Sequence, residues 1–154
     1  MTIGTVVGIY TASQKAVLIE GHEKVAIKAG KGIVGDRYFS ETGKNRSSYK
    51  GEPDWEITLI EAEVIETFNH AQGHQFHVSD FRRNLVTRNV RLNDLVGKRF
   101  SINGNLFYGV QLCEPCASLQ QRLGVSVLPE LVGKGGLRAQ ILSNGVVTVG
   151  DNFE

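Results

Sequence analysis

The sequence predicts a mostly β domain, a closed or nearly closed β-barrel carrying two or three short helices. Three observations point there. Eighteen glycines against three prolines are spread along 154 residues, enough turns for many short strands. Short runs alternate apolar and polar residues, the period of a half-buried strand. Two Asn-Gly pairs, Asn103-Gly104 and Asn144-Gly145, each sit between such runs, and Asn-Gly is the strongest short-range hairpin signal. The length suits a single domain over residues 1–154, long enough to bury a core without staples.

Taken in order, Thr5 to Tyr10 (TVVGIY) reads as a strand, and Ala16 to Ala29 as one or two more, broken at Gly21-His22. Gly30 to Pro53 is a long polar segment with five glycines. Loops of this length inside a compact domain are functional or mobile, and Ser40 to Glu52 is the expected lid. Asp54 to Leu59 reads as a strand. Ile60 to His70 is the clearest helix, with Ile60, Val64, Ile65 and Phe68 on one face. Phe81 to Thr87 passes from two arginines into a β-rich run, and Leu92 to Gly97 is a turn or a single helical turn. Arg99 to Tyr108 is a hairpin about Asn103-Gly104 whose second strand runs on to Leu112. Ala117 to Leu123 reads as a short helix ended by Gly124, and Leu128 to Val132 as one helical turn. Leu137 to Leu142 and Val146 to Val149 read as a second hairpin about Asn144-Gly145.

Composition narrows the function classes. A net charge of +1 argues against general nucleic-acid binding, which shows a strong basic excess. No apolar run approaches the ~20 residues of a membrane span. Met1-Thr2-Ile3-Gly4 does not open a signal peptide, and two cysteines do not make a disulfide scaffold. The expectation is a cytoplasmic protein with reduced thiols.

The chemistry concentrates at Leu112-Cys113-Glu114-Pro115-Cys116, which holds both cysteines at a strand-to-helix junction. Helix N–H groups and the positive end of the helix dipole favour the thiolate, the nucleophilic and metal-binding form. Four readings stand at this point: half of a structural zinc site, a thioredoxin-like dithiol, two buried cysteines, or one reactive thiolate that carries sulfur or binds a soft metal. The zinc reading lacks a second ligand pair, and the dithiol reading lacks a βαβ context. His70, His74 and His77 do not make a zinc-protease motif, because Gly73 interrupts the helix and no Glu follows His70. Gly30 to Arg37 lacks the Gly-Lys-Ser/Thr of a phosphate loop. Arg82-Arg83 is either a solvated pair at a strand start or an anion clamp, since guanidinium binds phosphate or carboxylate through two parallel hydrogen bonds.

Several stretches together resemble the MOSC family, the domain found at the C-terminus of molybdenum-cofactor sulfurases. They are Gly-Ile-Val-Gly-Asp-Arg (32 to 37), Arg-Arg-Asn-Leu-Val-Thr (82 to 87), Leu-Val-Gly-Lys-Arg-Phe (95 to 100) and Cys-Glu-Pro-Cys (113 to 116). Gly-Gly-Leu-Arg-Ala-Gln-Ile-Leu (135 to 142) and Val-Gly-Asp (149 to 151) complete the series. The resemblance implies a β-barrel-like fold and a characteristic cysteine, placed at Cys116 by its Pro-Cys dipeptide. That cysteine carries sulfur or ligates molybdenum through its thiolate, with Cys113 resolving a persulfide or merely packing. The implied cofactor is molybdopterin-based molybdenum cofactor. Arg37, Arg82, Arg83 and Arg138 would pair with its anionic groups, Asp36 would orient an arginine or accept from pterin N–H groups, and Gly135 and Gly136 would admit a close backbone. Asn84 belongs to the same set, or only caps a turn. The implied activity is cofactor binding or sulfur transfer; the alternative is molybdenum-dependent reduction of N-hydroxylated bases or amines. The chain shows no pyridoxal phosphate site and no flavin or iron–sulfur motif. A sulfur carrier would therefore need a cysteine desulfurase as partner, and a reductase an external electron donor.

Overall fold

A computed structural model describes residues 4–12, 19–36, 56–113 and 133–154. The strands are β1 (Thr5–Thr11), β2 (Glu20–Gly21), β3 (Lys24–Lys28), β4 (Gly32–Ile33), β5 (Ile57–Glu61), β6 (Leu85–Arg88), β7 (Arg99–Ile102), β8 (Asn105–Leu112), β9 (Leu137–Ile141) and β10 (Gly145–Thr148). One α-helix, α1 (Ala62–Gln72), lies between β5 and β6, and 3-10 turns occupy Val78–Phe81 and Leu92–Leu95.

Seven strands form one sheet in the order β2-β1-β6-β5-β9-β8-β7, and β10-β3-β4 form a second. Of the expected closed or nearly closed barrel, the β-rich character is present, but closure is not formed among the described residues. The large sheet is a curled half-barrel whose ladder ends at β2 and β7. The last residues of the chain run between its two sides. Val6 and Gly4 exchange backbone hydrogen bonds with Asp151, Gly150 and Phe153, while Glu154 N–H donates to Ser101 and Asn103 N–H to Asn152. The chain terminus therefore clasps β1 to β7 at one end without extending the ladder. The expected lid at 40–52, Arg37, Cys116 and the helical segments 117–123 and 128–132 lie outside the described residues.

Side-chain alternation explains why the sheet curls around a core. Ile9, Leu85, Leu59 and Leu137 are direct cross-strand neighbours, so their side chains form one apolar row across four strands. With Ile57, Ala139, Ile141, Phe107, Phe100 and Ile102 they face Val25, Ile27 and Ile33 of the small sheet, along with Val147. Phe100 stacks on Phe107 with ring centroids 5.4 Å apart, and on Phe153 at 5.9 Å. The opposite face of β5 and β6 presents Ile60 and Val86, which α1 covers with Ile65 and Phe68, joined by Phe81. β5 and β6 run parallel, and α1 is their crossover.

Two sequence expectations change here. The helix begins at Ala62 rather than Ile60, because Ile60 and Glu61 pair in the ladder with Val86 and Thr87. It runs two residues past the expected end at His70, to Gln72, where Gly73 in a left-handed conformation (φ 69°) directs its N–H to the Asn69 carbonyl. The Asn103-Gly104 hairpin forms, with both residues at positive φ (48° and 83°), as a tight turn matched to strand twist requires. The Asn144-Gly145 hairpin does not. β9 pairs with β8 and β5, whereas β10 pairs with β3, so this segment crosses between sheets. Asn144 Oδ1 instead accepts the Ala29 N–H at 2.8 Å, tying the crossing to the end of β3.

Candidate functional site at one end of the curled sheet

Next to the apolar row lies a polar one. Tyr10 N–H donates to the Asn84 carbonyl (2.7 Å), Thr58 faces Arg138 in the β5–β9 ladder, and Arg138 faces Gln111 of β8. At this level β1 and β8 end and β5, β6 and β9 begin, and several of the segments singled out in the sequence converge on it.

Asn84 is the node. Its Oδ1 accepts from Thr58 N–H (2.9 Å) and from the Thr58 hydroxyl (3.1 Å), and its Nδ2 donates to the Tyr10 carbonyl (3.1 Å) and to Asp36 Oδ1 (3.3 Å). The Thr58 Oγ1 in turn accepts the Asn84 N–H (3.0 Å). Buried amides and hydroxyls need such partners, since an unsatisfied one costs about 1–3 kcal/mol. Asn84 thus joins β1, β5, β6 and the loop after β4. Asp36, 4% exposed, sits at that loop and also accepts the Ala12 N–H at 3.1 Å. Two sequence-chosen residues, Asp36 and Asn84, therefore meet directly.

The arginines differ from one another. Arg82 closes the 3-10 turn in a left-handed conformation (φ 58°), its N–H donating to the Ser79 carbonyl, and is half-buried. Arg83, also half-buried, donates from Nε to the Gly135 carbonyl (2.9 Å) and from Nη1 to the Phe81 carbonyl (3.2 Å). Arg138 stands half-buried in the polar row of β9.

Gly136 has φ 112°, and a Cβ there would lie 2.1 Å from the Leu59 carbonyl oxygen. This close approach is of backbone to backbone, and only glycine permits it. The Gly136 carbonyl accepts the Cys113 N–H at 2.7 Å. Cys113 follows β8 as a free thiol, 5% exposed. A chain of contacts therefore runs Arg83, Gly135-Gly136, Cys113.

The sequence reasoning missed Thr58, the partner that makes Asn84 a junction. Its signal was a hydroxyl inside an otherwise apolar strand (Ile57-Thr58-Leu59-Ile60), where a buried polar side chain requires a specific acceptor or donor. The histidines take up other tasks. His74 packs against Phe76 with ring centroids 5.1 Å apart, and His77 caps the Val78 turn by accepting the Ser79 N–H at its Nδ1. The shifted titrations also lie away from this end, beside α1. Burial raises the Glu61 carboxyl above its ordinary value, against the pull of the Leu92 N–H that it accepts. Glu66 is lowered by its two-point hydrogen bond to Arg88 (2.6 and 3.2 Å).

A family model described as the MOSC domain matches residues 46–154. No curated protein matches the sequence. Among solved structures, the YuaD protein of Bacillus subtilis is similar with a TM-score of 0.80 at 18% identity, over 99% of this chain and 94% of that one. YiiM from Geobacillus stearothermophilus gives 0.69 at 18%, over 97% and 73%. YiiM from Escherichia coli gives 0.71 at 19%, over 100% and 69%. At these identities the structures establish a shared fold.

Proposed function

The chain belongs to the MOSC domain family, which is associated with the molybdenum cofactor, and from that premise we propose that it binds this cofactor and uses Cys116 to carry sulfur or to ligate molybdenum. One observation carries the reading: residues from four separate stretches, Asp36, Arg82 to Asn84, Cys113, and Gly135 to Arg138, meet at one end of the sheet. Nothing in hydrophobic packing requires charged and thiol groups to gather there.

The donor set fits the group. Arg82, Arg83 and Arg138 are half-buried at this end, and guanidinium pairs with phosphate. Thiolate sulfur suits a soft metal. Arg82 and Arg138 would bind the anionic groups of the cofactor, and Asp36, held by Ala12 and Asn84, would accept from pterin N–H groups. Cys113 sits three residues before Cys116 in the sequence and is itself on a docked backbone. Bound here, the cofactor would supply molybdenum redox chemistry or a transferable sulfur. The chain's own residues would bind it, orient it and present the thiol.

The test is molybdenum, pterin and persulfide content, measured on protein purified anaerobically from a host that makes the cofactor, beside Cys116→Ser. Near-stoichiometric molybdenum and pterin that fall in the variant support a cofactor site and open the alternative reading, a molybdenum-dependent reductase of N-hydroxylated bases or amines. A sulfur adduct on Cys116 without molybdenum supports a carrier, loaded by a desulfurase. Neither group in the wild-type protein overturns the proposal.

A further inference from the structure

We propose that Arg83 is a positioning residue for the Cys113 thiol, acting through the Gly135-Gly136 peptide rather than by touching a ligand. One planar guanidinium spans two backbone carbonyls: Nε reaches Gly135, 52 residues away in sequence, and Nη1 reaches Phe81. The next carbonyl, that of Gly136, accepts the Cys113 N–H at 2.7 Å. On its other side Gly136 lies against the Leu59 carbonyl, where even a methyl group has no room. The Gly-Gly turn is thus gripped between β5 and Arg83, and the exit of β8 hangs on it.

Two adjacent glycines are the most conformationally free pair the chain can place there, so their position depends on what holds them. Arg83 supplies that hold with two of its donors in a fixed fork, a geometry that a lysine ammonium does not reproduce. Its loss frees the Gly135 carbonyl, loosens the turn, and lets the Cys113 amide detach. Cys113, 5% exposed when docked, then becomes reachable. The inference leans on the cofactor reading only for its biological meaning, as the control of a thiol three residues from Cys116.

Native-state alkylation by iodoacetamide, with peptide mass mapping to separate Cys113 from Cys116, reads this directly. Rates are taken for wild type, Arg83→Ala, Arg83→Lys and Phe100→Leu, across pH and at several low urea concentrations. The expected result is a Cys113 rate raised about tenfold or more in Arg83→Ala through a local opening that low urea does not accelerate. Arg83→Lys falls between Arg83→Ala and wild type. Phe100→Leu, a core change remote from the turn, exposes Cys113 only through urea-sensitive global unfolding. In every variant the pH profile follows thiolate formation, so the change lies in access. An unchanged Cys113 rate in Arg83→Ala, or a gain that grows with urea as steeply as in Phe100→Leu, overturns the proposal. If Arg83→Ala does not fold, Arg83→Lys against wild type decides by the same two criteria. Metal and pterin content is read separately, so failure of the cofactor reading leaves this result standing, and the reverse.

Discussion

Gly136→Ala tests whether the backbone contact at the candidate site is as tight as the geometry requires. Two costs arise. The first is conformational: at φ 112° an alanine is strained by about 1–3 kcal/mol. The second is steric: a Cβ only 2.1 Å from the Leu59 oxygen must move by more than an ångström, and the obstacle is strand backbone rather than a side-chain tip. Overpacking of this kind adds about 1–3 kcal/mol, for a total of about 2–6. Gly150→Ala is the control, with φ 101° and no atom within 4 Å of the added Cβ, so it carries the first cost alone. Urea unfolding followed by circular dichroism measures both variants. For a chain of this size the total corresponds to a melting temperature lower by roughly 4–24 °C, with Gly150→Ala showing the smaller share. If the two variants fall within about half a kcal/mol of each other with equal m-values, the contact with Leu59 carries no energy and the reasoning fails.

Four further outcomes are expected. Asn84→Asp replaces the donor to Asp36 with an acceptor, so it costs about 2–4 kcal/mol at neutral pH, and the loss shrinks on acidification as one carboxyl of the pair protonates; urea midpoints across pH follow it. Thr58→Val keeps the shape of the side chain but removes the two hydroxyl bonds to Asn84 and leaves the Thr58 N–H bond, costing about 1–3 kcal/mol in the same assay. Glu61 has a raised folded-state pKa, so its contribution is fully present below about 4.5 and is lost as pH rises through the folded value; Glu61→Gln removes that decline and is the more stable protein at neutral pH, by an amount that vanishes in acid. Glu66 has a lowered pKa, so its contribution is present above 4.5 and lost as pH falls through the folded value; Glu66→Gln costs a few tenths to about 1 kcal/mol at neutral pH, less at high salt, because the pair with Arg88 is exposed.

Much of the β character was legible because it rests on local rules. The alternation in Leu137 to Ile141 and the Asn103-Gly104 turn each depend on a few adjacent residues, and each forms where the pattern placed it. The parts that depend on pairing partners were not legible. Asn144-Gly145 carries the same dipeptide as Asn103-Gly104, yet joins two different sheets, because Val147 and Val25 bury together on the small sheet. Ile60 fits the helical stripe as well as it fits a strand, and its pairing with Val86 decides in favour of the strand. Among the described residues the curled sheet stays open in its ladder, and the final residues rather than another strand join β1 to β7.

At the candidate site the division is similar. The sequence by itself determined which residue types are present and in what order: the Arg-Arg-Asn run, the Gly-Gly pair, Asp36 and the cysteines, together with the family they resemble. Composition and spacing carry that information because guanidinium, thiol and glycine chemistry belongs to the residue wherever it lies. Only the tertiary structure decided their division of labour. Asn84 became a buried junction through Thr58, Gly136 became a contact with Leu59, and Arg83 became the support of the turn that docks Cys113. Those roles depend on contacts between residues 23 to 77 positions apart, and no local pattern in the chain encodes a distance across the fold.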